Sequence, residues 1–291
     1  MKILLTGASG FVGRNLTRVL GAHGHDVRPV SRRQGFDMSR MLAPADWLSC
    51  LDGIGSIDAV VNAAGIIGET RSQRFDLLHT RAPVALFEAC RQAGVRRVVQ
   101  ISALGADDTA FSRYHLSKRE ADQALLQLHA QGCVLRPALI YGRGGTSAAL
   151  LLRVAALPLV PVLEAGAQAL QPVHISDVVA TVLRALTGPA PPRELDIVGP
   201  QTVSLADWMQ TLRAAQGLPK ARLLRVPYAL AWAGSWLLRP LHPLAAPDNL
   251  RMLRQGYRAD GRAVEQFLGR PLLPPQPHLQ YEDASILGRR P

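Results

Sequence analysis

The sequence predicts an α/β fold: a doubly wound parallel sheet followed by a smaller, irregular C-terminal region. Three observations predict it. Five short apolar or β-branched runs alternate with helix-length segments in the first half, a glycine-rich turn follows the first run, and prolines crowd the second half. The runs are 2–6, 26–30, 58–62, 97–102 and 133–137. Strands that alternate with helices require crossover connections, and so a parallel sheet buried on both faces. Between them, 11–22, 75–93 and 112–131 carry apolar residues at helical spacing, and Gly94 stands where the second of these helices would be capped. After Pro137 the helices shorten between prolines. There, 169–175 and 194–198 read as strands, and Ser176 reads as the N-cap of a helix running to Leu186. The division expected is a core of 1–140 with 171–200 returning to it, and a substrate region of 141–170 and 201–291.

Composition narrows the class. Apolar residues make up 48% of the 291 and charged residues 19%, which excludes a disordered or coiled-coil chain. The net charge of +11 rests on scattered arginines and only three lysines, so it reads as compositional bias, and no nucleic-acid partner is expected. Cys50, Cys90 and Cys133 lie far apart and form no C-x-x-C pair, which argues for a reducing, cytoplasmic setting and against a metal site. Residues 2–6 enter a strand at once, leaving no signal-peptide apolar region. The longest near-apolar run, 226–238, is too short to span a bilayer. It has the makeup of an interfacial helix, compatible with peripheral contact at the inner face of a membrane.

The chemistry starts at the first turn, Gly7-Ala8-Ser9-Gly10-Phe11-Val12-Gly13, between a strand and a helix. Gly7 permits the tight turn, Gly10 lets backbone amides approach a pyrophosphate, and Gly13 allows close packing of helix on strand, the dinucleotide fingerprint of a Rossmann fold. After the second strand comes Ser31-Arg32-Arg33 in place of the acidic residue expected for NAD(H). Guanidinium groups suit a 2′-phosphate, so NADP(H) is favoured while NAD(H) stays open. Asn62-Ala63-Ala64-Gly65 places small residues where ring and ribose must approach the backbone. Ser102 ends the fourth run, and Tyr114 and Lys118 stand four apart on a predicted helix, where the ammonium would lower the phenol pKa and make the tyrosine an acid or base.

In this order the motifs resemble the short-chain dehydrogenase/reductase superfamily. Residues 99–107, Ser112-Arg113-Tyr114, Ser117-Lys118 and 135–142 resemble its atypical branch, related to the 39 kDa accessory subunit of respiratory complex I. The resemblance covers about residues 1–215. It implies Ser102, Tyr114 and Lys118 as the catalytic trio, with Lys118 also on the nicotinamide ribose and Asp37-Met38 beside the adenine. It also places Ile101, Pro137 and Ile140 along the cofactor. Two departures stand out: His79 occupies a place where many relatives have Asn, linked to a water relay behind the lysine, and only about 12 residues separate Ser102 from Tyr114.

The expected function is an NADP(H)-dependent oxidoreductase that moves hydride between cofactor and a carbonyl or alcohol of a small, apolar molecule. Its substrate would lie against the loop after Ser102, 140–147 and 158–171. The alternatives are a non-catalytic nucleotide-binding assembly or regulatory protein, and a sugar-nucleotide epimerase or dehydratase. His174 and Asp177 read as orienting a helix start, and Trp232 and Trp236 as core residues sharing a face with Leu230 and Leu237. No residue pattern sets an oligomeric state.

Overall fold

The computed structural model describes residues 1–238 and 246–285. In chain order its elements are β1 (Lys2–Thr6), α1 (Phe11–Ala22), β2 (Asp26–Val30), α2 (Pro44–Ile54), β3 (Ala59–Asn62), a π-helical turn (Asp76–Arg81) leading into α3 (Ala82–Gln92), β4 (Arg97–Ile101), α4 (Arg113–Leu128) and β5 (Gly132–Pro137). There follow β6 (Ile140–Tyr141), α5 (Thr146–Ala155), β7 (Leu159–Leu163), β8 (Ala169–Leu170), β9 (Val173–His174), α6 (Ile175–Thr187), β10 (Glu194–Ile197), β11 (Val203–Ser204), α7 (Leu205–Ala215), β12 (Arg222–Val226), α8 (Tyr228–Leu238), α9 (Pro247–Gln255) and α10 (Arg262–Leu268). The chain divides into two compact units, Met1–Pro137 with Val179–Asp196, and Ala138–Val178 with Ile197–Pro291.

The first unit is built on a six-stranded sheet ordered β10-β5-β4-β3-β1-β2 among the described residues. Its registers from β2 to β5 are parallel, as in Leu4↔Val60 and Val60↔Val98. Every residue of β3 is buried, the mark of a strand covered on both faces. One core fills the space between sheet and helices with Trp47, Leu86, Phe87, Val98 and Leu125, each worth about 1.5–3 kcal/mol on burial. In the second unit, Tyr141, Val160, Val162, Trp208 and Leu212 form a separate core, and β7 pairs in parallel with β12.

Several expectations need correction. The periodicity of 75–93 conceals a π-helical turn ahead of α3. The strand at 169–175 is split into β8 and β9 around Gln171 and Pro172. Ser176 lies inside α6 and does not cap it; its hydroxyl donates to the carbonyl of Asp283. Helix α2 was not anticipated, although its start carries Pro44 at the first helical position and Asp46 accepting the Ala43 N–H at 3.0 Å. Trp236 is not a core residue. It is 56% exposed, and Leu230 and Leu237 face solvent beside it, whereas Trp232 lies half-buried on the other side of the helix.

Candidate functional site

The β1–α1 turn forms as its glycines require. Gly7 has φ +66°, and a Cβ there would stand 2.5 Å from the carbonyl oxygen of Ala63. A Cβ on Gly13 would stand 2.1 Å from the carbonyl oxygen of Gly7, so any side chain would push the helix off the turn. Helix α1 begins at Gly10 with no side-chain cap and no acidic residue in its first turn. Its leading amides, with Phe11 and Val12 in the first turn, are therefore available to an anion.

Above this turn opens a cleft of about 210 Å³, open to solvent on one side. Gly7, Ser9, Gly10, Ser31, Arg32, Asp37, Met38, Ala63, Ala64 and Gly65 line it. So do Val30, Phe36, Ser39, Ile66, Ser72, Gln73 and Leu78, which sequence reasoning did not single out. Ser72, Gln73 and Leu78 could not have been found from the motif, since they arrive from a loop and helix start about 60 residues downstream. Asp37 accepts both the N–H and the hydroxyl of Ser39, and that bonding holds its carboxyl below the ordinary range. The Arg33 side chain falls outside the described residues. Asn62 lies beneath the cleft rather than on it: it is fully buried, accepts the Thr6 hydroxyl and donates to Gln100 at 2.6 Å, tying together the ends of β1, β3 and β4.

The trio is assembled by β4 and α4. Ser102 follows β4 directly, and its buried hydroxyl donates to Asp122. Lys118 is buried, and its ammonium donates to the carbonyls of Ile101 at 2.9 Å and Ala64 at 3.2 Å. A Cβ on Gly65 would approach that ammonium to 3.2 Å, so the glycine lets the charge reach the cleft wall. Tyr114 lies one helical turn before Lys118, its ring edge-on to His79 at 5.5 Å and to Phe75 at 5.9 Å. The expected lowering of its pKa is overturned. Burial, with the Asp122 carboxylate adding to it, pushes the phenol up to about 12. Burial likewise brings Lys118 down to about 8, against a partial restoration by Asp122. In the protein alone, desolvation dominates both groups.

Two further residues complete the cluster. Asp122, four positions past Lys118, receives the Ser102 hydroxyl and lies 3.7 Å from the Arg136 guanidinium; burial raises its pKa to about 6, against that hydrogen bond and the nearby cations. Its signal was readable, since Tyr114, Lys118 and Asp122 follow at i, i+4 and i+8 on one helix face. His79 sits fully buried on the π-helical turn. Its Nε2 accepts the Ile66 N–H at 3.0 Å, which leaves Nδ1 as the donor to the Ser117 hydroxyl at 3.1 Å; that hydroxyl in turn donates to the Tyr114 carbonyl. Burial, then the Lys118 charge, holds the imidazole neutral.

Pro137 ends β5 in the first unit, while Ile140 belongs to the second, on β6 opposite Val173. His174 accepts the Ser176 N–H through Nδ1 and donates through Nε2 to Leu279. Asp177 accepts from Arg270 at 2.7 Å and from the Leu273 N–H at 2.9 Å, so both residues fasten the chain's later segment. The three cysteines are buried and unbridged, and among the described residues no cluster of His, Cys, Asp or Glu is placed to hold a metal.

The resemblance extends to known proteins. The chain is 27% identical over 243 residues to ceramide reductase of Caulobacter vibrioides (strain NA1000 / CB15N), a match spanning 77% of this chain and 73% of that one. It is 24% identical to the mitochondrial NADH dehydrogenase [ubiquinone] 1 alpha subcomplex subunit 9 of Mus musculus, over 85% of this chain and 70% of that one. The fold matches that of human epimerase family protein SDR39U1, solved with NADPH, at a TM-score of 0.74 and 22% identity, covering 98% of this chain and all of that one. Residues 3–198 match the NAD dependent epimerase/dehydratase family. With that match over more than half its length, and with the glycine turn and cleft of its first unit, the chain is a member of the NAD dependent epimerase/dehydratase family.

Proposed function

We propose that the protein is an NADP(H)-dependent oxidoreductase that reduces an apolar carbonyl compound in a reducing, cytoplasmic compartment. The observation that carries this reading is the position of Lys118: a buried ammonium held by the carbonyls of Ile101 and Ala64 beside the cleft above the glycine turn, with Tyr114 one turn away. The residues present fit the cofactor. A pyrophosphate finds uncapped amides at the start of α1, small residues make room at Ala63–Gly65, and Arg32 suits a 2′-phosphate.

When bound, NADPH supplies the hydride; the protein must supply the proton and the geometry. Tyr114 is protonated throughout the physiological range, the state required of the acid that gives its proton to a carbonyl oxygen. Lys118 binds the ribose side of the cofactor and supplies positive charge as the phenolate forms. Ser102 donates its hydroxyl to Asp122 in the protein alone and would turn that hydrogen to the substrate oxygen when the substrate binds. His79 fixes the peptide at Ile66 and the α4 backbone behind Tyr114, so the acid is positioned by the fold rather than by a loop.

The relative named as a ceramide reductase supports a reductive role on an apolar molecule. The complex I relative supports a rival reading, a nucleotide-binding assembly protein without turnover. NADPH absorbance followed across a panel of apolar ketones and aldehydes separates them. Oxidation that depends on both protein and carbonyl is expected. NADPH binding with no oxidation across the panel would favour the assembly reading.

A further inference from the structure

Helix α8 has two apolar faces where a surface helix should have one. Tyr228, Ala231, Trp232 and Ser235 recur at i, i+3, i+4 and i+7 on the side packed against its own unit, where Tyr228 and Ala231 join the core. The opposite stripe, Ala229, Leu230, Ala233, Trp236 and Leu237, faces out, with Leu230 65%, Trp236 56% and Leu237 76% exposed. No charged residue occurs anywhere in the helix. Water gains nothing from such a face, and soluble monomers seldom expose large side chains in a contiguous stripe.

The charges around the helix indicate what covers it. From residue 208 to 247 the chain holds no Asp or Glu, and Lys220, Arg222 and Arg225 are exposed on the stretch that leads into the helix. Arg222 and Arg225 are exposed on β12, which runs directly into α8, and the Arg254 guanidinium lies 4.3 Å over the Tyr228 ring at the helix's first turn. Exposed Leu224 lies between those arginines, and exposed Leu159 is the register partner of Arg222. An uncharged stripe bearing Leu and Trp, entered from a strand whose exposed charges Arg222 and Arg225 are both cations, matches the interface of an anionic bilayer, where tryptophan and arginine both prefer the headgroup level; the nearest carboxylates are Glu164, beside Val226, and Asp248 on α9. A second protein surface would need a large matching apolar area, and nothing in this stripe requires the basic border.

We propose that α8 is a membrane-docking helix that lies in the headgroup layer of an anionic lipid surface, with Leu230, Trp236 and Leu237 inserted and Arg222 and Arg225 at the phosphates. The contact is peripheral, since among the described residues no helix is long and apolar enough to cross a membrane. It stands independently of whether the chain turns over a substrate.

Flotation of the full chain with phosphatidylcholine vesicles, with and without phosphatidylglycerol, tests it. The wild type should float with the anionic vesicles, and Trp236 emission should shift to the blue relative to a Trp236→Phe control. Trp236→Ser combined with Leu237→Ser should weaken binding at least about tenfold. Arg222→Ala and Arg225→Ala should each weaken it about fivefold at low salt and flatten its salt dependence. Circular dichroism and Tm show whether each variant remains folded, which is expected because the altered side chains face outward. Failure of the wild type to float at low salt would overturn the proposal, as would flotation unaffected by the Trp236/Leu237 change. A concentration-dependent dimer that the same change dissolves would show instead that the stripe is a self-interface.

Discussion

Among the described residues, two buried clusters of tyrosine, histidine and aspartate behave in opposite ways. In the first unit Tyr114 stands with His79 and Asp122; in the second Tyr141 stands with His174 and Asp177, the two rings 5.1 Å apart. The second cluster spends its hydrogen bonds on the backbone: Tyr141 donates to Pro274, His174 to Leu279, and Asp177 accepts from Leu273. It fastens about ten residues of distant chain. In the first cluster, the tyrosine is packed among rings, the aspartate holds a serine, and a buried ammonium lies against the wall of a cleft. Residue type does not separate the two clusters; their surroundings do, since the first lies against the glycine-turn cleft and the second against the segment from Arg270 to Leu279.

Parallel tyrosine substitutions should break that comparison most sharply. Tyr114→Phe removes the transferable proton and should lower kcat by about 10²–10⁴-fold with NADPH affinity nearly intact. Tyr141→Phe should leave kcat unchanged and cost about 1–2 kcal/mol in urea unfolding, since the Pro274 carbonyl loses its donor. Wild-type turnover in Tyr114→Phe on an identified carbonyl substrate would exclude tyrosine as the acid.

The aspartates give the next contrast. Asp177→Ala leaves Arg270 and the Leu273 amide without their acceptor in a fully buried position, and should cost about 2–4 kcal/mol. Asp122→Asn keeps the Ser102 hydroxyl near an acceptor while deleting a carboxylate that burial disfavours. It should be neutral or slightly stabilising at pH 7 while lowering turnover. Comparable losses of stability in the two variants, measured by urea titration at one pH, would mean that Asp122 is also a fastening.

The pH dependence of stability sharpens the same point. Asp122 titrates near 6 in the folded chain against an ordinary value near 3.8, so the folded state binds more protons between these values and stability should fall as pH rises through that window. Lys118 titrates near 8 against 10.5, so the unfolded state binds more protons there and stability should rise from about pH 8 to 10.5. Each limb should be on the order of 1–3 kcal/mol. Urea midpoints across pH should lose the acid limb in Asp122→Asn and the alkaline limb in Lys118→Met; a Lys118→Met profile that keeps its alkaline rise assigns that limb elsewhere.

What could be read beforehand divides along physical lines. Strands β1 to β5 and the glycine turn follow from local rules, period and φ > 0, which the residues display directly. The trio could be read because Tyr114 and Lys118 share one helix face, and Asp122 extends the same stripe, so its absence from the expected site was a failure to continue the period. The neutrality of His79 could not be read, because it depends on an amide 13 residues away and a hydroxyl 38 residues away. Asp177 finds its partners 93 and 96 residues on, a separation at which no local pattern survives. Trp236 reads as core because it shares an apolar face with Leu230 and Leu237, an inference that fails when a helix is apolar on both sides and the other side is the buried one.

The smallest expected effect concerns the cofactor's adenosine end, where two opposite charges line one cleft. Arg32 would pair with a 2′-phosphate, whereas an ionised Asp37 would repel it and favour a free 2′-hydroxyl. The geometry favours the arginine. One Asp37 oxygen is committed to the amide and hydroxyl of Ser39, and the other leans toward Arg40 at 3.9 Å, so the carboxylate is turned to its own loop. Arg32→Ala should therefore weaken NADPH binding about tenfold, less than a buried pair would because the guanidinium is exposed, and leave NADH binding unchanged. Asp37→Asn should change the NADPH/NADH ratio by no more than about threefold, through loss of charge alone. Calorimetric titration of both nucleotides into the three proteins checks this. If Arg32→Ala leaves the ratio where the wild type has it, the phosphate is not read at this position and the chain discriminates its cofactor by some other contact.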